Sequence, residues 1–527
     1  MENKSKLKKV LKTTDMIALA FGAAIGWAWV VSSGDWLLTG GTLGAILGFV
    51  LGGVMVFFIG VTYAELCPAM PNCGGEHVFS MRALGFNWSF VCSWALALSY
   101  LGVVGFEACS LPSVLSYIIP GMTKESLYVY TIAGLDIYLP FIIVGVAGAA
   151  LLTFINFIGV EFSSGVQKLF TGIILAVGIL IIIGAFMSGS MTNVQPLFAN
   201  GKGGPIGCTL AVAVLTPFFM VGFDVVPQAA EEAIVAPKKL AHLMLISIVM
   251  AATWYCIILL AVSMLVPHEQ LNGEGLCTAN ALVNAWHGNQ IAKYIVIIGG
   301  GCGILTTWNA FLTAGSRVLY SMGLSGMLPK WFTYIHPKFK TPSNAVLFIG
   351  GLSAITAFFG KQALIWISNA ASLSTVVAYG LVAVSFLVLR RTEPDMHRPY
   401  KVKNYKVMGT LAITFAAFMF ILYMPGMPSC LGKAEWIIIL LWVILGVPMY
   451  LTARSNSPKY LETLERKSEM VLKHIDELKV KQAIENKKIK LTEKKDKVKM
   501  VKENIANTKK KKVKAIKKHI KVAKKKK

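Results

Sequence analysis

Charge is scarce in this sequence. Asp, Glu, Lys and Arg together make up 15% of its 527 residues, where a soluble globular domain carries about a quarter. An ordinary water-soluble fold is thereby excluded. Acids are the scarcest, 26 Asp and Glu against 51 Lys and Arg, and they are scattered singly through apolar stretches. No motif pairs a nucleophile with a base, so an enzyme has no support and no cofactor is expected. The nine cysteines include no C-x-x-C pair, and no metal site is expected from them. Most lie in or beside apolar runs, where cysteine behaves as a small hydrophobe. No cleavable leader is evident, because the basic segment 1–12 leads into an apolar run too long for a signal h-region.

What is abundant is apolar length. Apolar residues reach 55% and mean hydropathy is +0.63, the composition of a polytopic membrane protein. Runs long enough to cross a bilayer fall at about 16–38, 42–64, 87–119, 138–158, 166–187, 207–229, 240–266, 292–315, 345–360, 364–389, 408–426 and 434–452. Twelve spans put both termini on one side. The N-terminal segment and the loops of that side hold 19 Lys and Arg before the C-terminal tail is counted, and the opposite loops only five. The positive-inside rule then makes both termini cytoplasmic, in a multi-pass protein of the cell membrane. Cys277 and Cys430 fall in outer loops of this arrangement, where a disulfide between them is conceivable.

The net charge of +25 suggests nucleic acid until it is divided along the chain. From Arg454 onward there are 27 Lys and Arg against 9 Asp and Glu, so 18 of the 25 charges belong to an appended tail. A Lys-rich arm of this kind suits the anionic lipid of the inner leaflet, and specific nucleic-acid recognition is not expected. Apolar residues at heptad-like spacing allow a short helix up to about Leu478. The domain organisation reads as an N-terminal cytoplasmic segment 1–15, a transmembrane domain 16–452 and a cytoplasmic tail 453–527.

Two spans are interrupted. In the first, Gly22-Ala23-Ala24-Ile25-Gly26-Trp27-Ala28 sets two glycines four apart where a lipid-facing helix needs continuous backbone bonding. In the sixth, Pro217, Gly222 and Pro227 fall within twelve residues, and proline removes a donor and clashes with the preceding turn. Paired breaks five spans apart point to a transporter built from two inverted repeats, with its ligand near the bilayer midplane.

Five motifs in order resemble the amino acid–polyamine–organocation permeases. They are Gly22-Ala23-Ala24-Ile25-Gly26; Tyr63-Ala64-Glu65-Leu66 with Pro68, Pro71 and Gly74-Gly75-Glu76; Phe218 with Gly222-Phe223-Asp224; Ser316-Arg317 with Leu328-Pro329; and Arg398-Pro399-Tyr400. The resemblance covers residues 15–452. It implies an all-α, LeuT-like fold, with inverted repeats at about 16–187 and 207–389 and two extra helices over 408–452. It also implies alternating-access transport of an amino acid or related amine, with a proton or sodium as coupling ion. An exchange mode and a transporter-like nutrient sensor are the alternatives.

On this reading Gly22, Ala23, Ala24, Ile25, Gly26, Trp27 and Ala28, with Phe218, Gly222 and Phe223, form the substrate site. Amides near Gly26 to Ala28 would receive a carboxylate, and the carbonyl ends of the half-helices an ammonium. Trp27-Ala28 departs from the small polar pair common in the family. Asp224 matches the acid implicated there in proton or substrate coupling, with a plain helix-capping carboxylate as the alternative. Glu107, deep in span three, reads as a proton carrier, an ammonium ligand, or a buried acid bonded to a neighbouring helix. Thr306, Thr307 and Asn309 in span eight are candidates for an ion or for bracing span one. Some of these permeases carry a lysine in span five; Ile174 stands at that position here, so a lysine-based coupling account does not carry over. Glu65, Glu76, Arg82, Glu231, Glu232 and Arg317 either form ion pairs that close an inner gate or are solvated charges of the cytoplasmic interface, and the second is the preferred reading.

Overall fold

The computed structural model describes residues 7–119, 121–132, 135–201, 203–271, 276–427, 430–453 and 462. The tail readings fall almost wholly outside these residues.

Leucine-, isoleucine- and alanine-rich stretches fold into helices because in lipid every backbone donor and acceptor must be satisfied within its own segment. Among the described residues nine helices are long and apolar enough to cross a membrane, and one of them covers Thr13–Ala69. That helix is α1 (Thr13–Ile25) followed by α2 (Ala28–Ala69), whose backbone leaves helical geometry at Gly41. Span one is therefore α1 plus the part of α2 before Gly41, and span two is the remainder. Two shorter apolar helices, Gly204–Phe219 and Ser343–Phe359, occupy the sixth and ninth runs. Together these account for the twelve spans expected from the sequence.

Helix α3 (Glu76–Leu115) begins eleven residues ahead of the third apolar run, and its geometry breaks at Gly85. After it come a two-stranded antiparallel hairpin, β1 (Tyr128–Ile132) and β2 (Leu135–Tyr138), then α4 (Leu139–Ile158) and α5 (Val160–Ser188). The hairpin is a small addition to the all-α expectation. Polar and aromatic residues at alternating positions, Tyr128, Tyr130, Asp136 and Tyr138, lie outside the apolar runs and form it. Span six is split into α6 (Gly204–Ala213), α7 (Thr216–Phe219) and α8 (Val225–Gln228). The remaining helices are α9 (Pro237–Leu265), α10 (Cys277–Ala285), α11 (Ile291–Leu324), α12 (Ser343–Thr356), α13 (Gly360–Thr392), α14 (Tyr405–Leu422) and α15 (Lys433–Thr452).

The broken helices sit inside the bundle. Helix α1 packs against α5, α9 and α11, and α3 packs against α11 and α13. By contrast α15 fully buries only Glu435 and Gly446 and leaves Ile437, Leu440, Leu441, Ile444, Leu445 and Leu451 outward, as a lipid-facing helix does. All nine cysteines are free thiols, with Cys277 buried against Gly34 and Cys430 exposed. The conceivable pairing of these two is thus overturned.

Candidate substrate site at the crossing of two broken spans

Helix α1 stops because Gly26 adopts φ +27°, a conformation that L side chains rarely take. A Cβ at Gly26 would stand 2.4 Å from Thr307 Oγ1. Trp27 follows as N-cap of α2, so the amides of Trp27, Ala28 and Trp29 stand in a first turn that has no intrahelical acceptor for them. On the other side of the break the carbonyls at the end of α1 each meet a hydroxyl. Thr306 Oγ1 lies 3.2 Å from Gly22 O, Thr307 Oγ1 3.3 Å from Ala23 O, and Tyr255 Oη 2.9 Å from Ala24 O.

The break in span six lies directly across α1. Gly222 has φ +147°, and a Cβ there would stand 2.7 Å from Ala24 N and 2.8 Å from Ala20 O; only glycine lets the unwound segment rest on α1 this closely. Asp224 braces that segment. Its Oδ1 accepts from the Gly222 amide at 2.8 Å and its Oδ2 from the Tyr100 hydroxyl at 3.0 Å. Tyr255 Oη is also 3.2 Å from Phe219 O, so one phenol from α9 reaches the carbonyl ends of both half-helices.

Between the two breaks is a cavity of about 30 Å³, room for about one or two waters. Of the residues expected to bind substrate, Ala23, Ala24, Gly26, Trp27, Ala28 and Phe218 line it, joined by Glu107 and Thr307 from the coupling set. Gly22, Ile25, Gly222, Phe223, Asp224, Thr306 and Asn309 lie off it. Gly22 faces α5, where a Cβ would meet Thr171 Oγ1 at 2.3 Å. Phe223 is wedged between Tyr63 and Tyr379, with ring centroids 5.2 and 5.5 Å away. Asn309 joins helices: Asn156 Nδ2 and Ser163 Oγ each donate to its Oδ1 at 2.8 Å, and its Nδ2 donates to Gln167 Oε1 at 2.8 Å.

Sequence reasoning missed Val103, Phe106, Phe219, Val221, Tyr255 and Phe311 on the cavity wall. They are apolar or aromatic residues among many, and only packing distinguishes them. Phe106 and Phe218 meet edge to face at 5.9 Å. Glu107 is 3% exposed, and its Oε2 has no hydrogen-bond partner. It is the one carboxylate among the residues lining the cavity.

Cavity residues on the side away from the N-terminus, Ala28, Phe106, Phe218 and Phe219, are partly exposed. The N-terminal face is closed. Arg317 and Glu232, each 2% exposed, pair at 2.7 Å, with a second bond at 3.1 Å. Glu65 is held by Arg390 at 2.5 Å, by Arg398 at 3.0 Å and by the Val402 amide at 2.7 Å. Glu76 is fully buried and accepts from Gln228. Reading these four as solvated charges is corrected, since the helices that carry them converge and exclude water. Arg82, by contrast, is partly exposed and pairs with Glu393 at 2.7 Å. The segment before α1 adds a strap: Val10 N and Leu11 N donate to Glu232 O at 2.9 and 3.0 Å, and Ile234 N donates to Leu11 O at 2.7 Å.

A polytopic helical protein with two half-broken spans crossing over a small buried cavity belongs to the class of membrane permeases. The family model for amino acid permeases matches residues 11–447, and the chain belongs to that family. It is similar to the branched-chain amino acid permease BcaP of Bacillus subtilis, 27% identical over 468 residues, covering 86% of this chain and 94% of that protein. It also resembles the methylthioribose transporter of Bacillus subtilis, 25% identical with 86% and 96% covered. A third relative is cationic amino acid transporter 4 of Mus musculus, 28% identical over 403 residues, with 73% and 60% covered. These relatives are transporters and permeases, not enzymes.

Proposed function

We propose that this protein is a secondary active transporter of the cell membrane that moves an amino acid by alternating access, driven by protons. The observation that carries the reading is the meeting of two opposite helix ends at one cavity. The start of α2 presents unpaired amides and the positive end of its dipole, which favours a carboxylate. The ends of α1 and α7 present carbonyls that favour an ammonium, with the Glu107 carboxylate on the same wall. An α-amino acid carries those two groups one carbon apart. The relatives named as amino acid permeases and transporters support the same ligand class.

The cavity is too small for an amino acid as it stands, which fits a closed state between loading and release. With the termini cytoplasmic, the buried pairs on the N-terminal face close the inner side, and the partly exposed Phe106 and Phe218 form the outer lid. The aliphatic and aromatic wall of Val103, Phe106, Phe218 and Trp27 favours a small apolar side chain. Protons are favoured over sodium because buried carboxylates able to carry them, Glu107 on the cavity wall and Asp224 behind the span-six break, stand at membrane depth. Ile174, packed against Gly303 beside Gly26 O, supplies no oxygen ligand there.

Counterflow of labelled amino acids in proteoliposomes, preceded by a thermal-shift screen for ligands, tests this. Flux of a small neutral amino acid that persists without sodium is expected. Binding without flux would identify a sensor instead, and flux that stops without sodium would overturn proton coupling.

A further inference from the structure

We infer that Glu76 is a second proton-binding carboxylate of the transport cycle, standing on the cytoplasmic side of Asp224 and receiving its proton. The inference rests on the proton-driven reading above and adds a residue that the reading does not need.

Most carboxylates near the N-terminal face have a cation. Glu232 has Arg317, Glu65 has Arg390 and Arg398, Glu393 has Arg82, Asp15 has Lys168 and Glu161 has Lys8. Glu76 has none among the described residues, although it is 0% exposed. Its Oε2 accepts from the side-chain amide of Gln228, while its Oε1 meets no donor in good hydrogen-bond geometry, the Tyr63 hydroxyl being its near neighbour. Burying an unpaired carboxylate anion is far more costly than burying the neutral acid, so Oε1 is where a proton sits in this closed state.

The groups facing Glu76 are Tyr63 and Cys67 of α2, Cys92 and Tyr100 of its own helix, Tyr379 of α13 and Asp224 ahead of α8. Five are neutral at physiological pH, and the sixth is an acid. That acid is in the opposite condition. Asp224 receives two donated hydrogen bonds, from Gly222 N and Tyr100 Oη, the environment of an ionised carboxylate. The two acids thus share one proton.

Gln228, which holds Glu76, lies four residues after Asp224, so both stand on one face at the start of the cytoplasmic half of span six. Tyr63 lies beside Glu76 and Tyr379 beside Asp224, and their rings meet edge to face at 5.8 Å. In the step we infer, Asp224 gives up its O–H proton and becomes a carboxylate, while the Glu76 carboxylate gains that proton at Oε1. When the Arg317–Glu232 closure opens, the proton leaves Glu76 for cytoplasmic water.

Glu76→Gln tests this, because a glutamine carbonyl still accepts from Gln228 and preserves a merely structural role. In proteoliposomes with one pH unit across the membrane, one-proton coupling allows the wild type to accumulate substrate up to about tenfold. Glu76→Gln is expected to equilibrate substrate without accumulating it, to flatten the pH profile of uptake, and to retain counterflow within a few-fold. Infrared difference spectra should also lose the carbonyl band of one protonated carboxyl. Should Glu76→Gln insert poorly, Glu76→Asp is the second variant and is expected to keep the band and part of the accumulation.

Accumulation and pH profile like the wild type in Glu76→Gln, with the infrared band intact, would overturn the inference while leaving proton-driven transport standing. A wild type indifferent to the pH gradient would overturn both.

Discussion

Single residues decide whether the two helix ends can meet at all, and the two glycines of span one do so in different ways. Gly22 is helical, and the obstacle to a Cβ is the side chain of Thr171, 2.3 Å away. Gly26 also has a neighbour, Thr307, but its φ of +27° is itself closed to other residues. Gly22→Ala should therefore lower the melting temperature and be rescued by Thr171→Ala. Gly26→Ala should cost about 1–3 kcal/mol and not be rescued by Thr307→Ala; rescue there would mean that crowding, not backbone strain, is the constraint. Tyr255→Phe removes the hydroxyl shared by Ala24 O and Phe219 O. Leaving buried acceptors unmet costs about 1–3 kcal/mol, and slower counterflow is the expected result, with the ring still stacked on Phe49 as that of Tyr255 is, 4.7 Å between centroids. At Asp224, substitution by Asn should abolish pH-driven accumulation and spare much of the exchange; unchanged accumulation would remove it from coupling.

At the scale of elements, the inner closure ties the segment after span six both to span eight and to the start of the chain. Arg317 at the end of α11 holds Glu232 after span six, and the strap before α1 bonds to the same segment through Leu11. The ends of spans one and six are thereby linked, so opening the inner side requires them to part from α11 together. Arg317→Met leaves Glu232 buried without a cation, which should cost about 3–5 kcal/mol. The double variant with Glu232→Leu should recover most of that stability, because the stranded charge is gone. It should still favour the inward-open state, read as faster labelling of a cysteine placed behind the closure. Stability not recovered in the double variant would show that the pair contributes more than mutual charge compensation.

At the scale of the whole molecule, the proposed transport resides in residues 16–452, and the Lys-rich tail, outside the described residues, is proposed from its composition to lie on the membrane surface. Deleting residues 460–527 should leave the transport rate per inserted molecule unchanged while weakening association with anionic vesicles; a dead truncation would make the tail part of the mechanism. What the sequence by itself determined is the membrane class, twelve spans, the two breaks and the family. Each is written in a local pattern: an apolar run of sufficient length, Gly22 and Gly26 four apart, Pro217 and Gly222 in span six, motifs in fixed order. Tertiary structure alone decided which residues share the cavity. Phe223 and Asp224 sit beside Phe218 in the chain, yet the unwound backbone turns them toward Tyr63 and Tyr100. Tyr255 comes to the breaks from α9, thirty-one residues beyond Asp224. Glu76 follows a glycine pair like an ordinary interface acid, and only the convergence of α2, α3, α8 and α13 removes it from water. Burial and partnership are sums over several helices, and no local pattern carries such a sum.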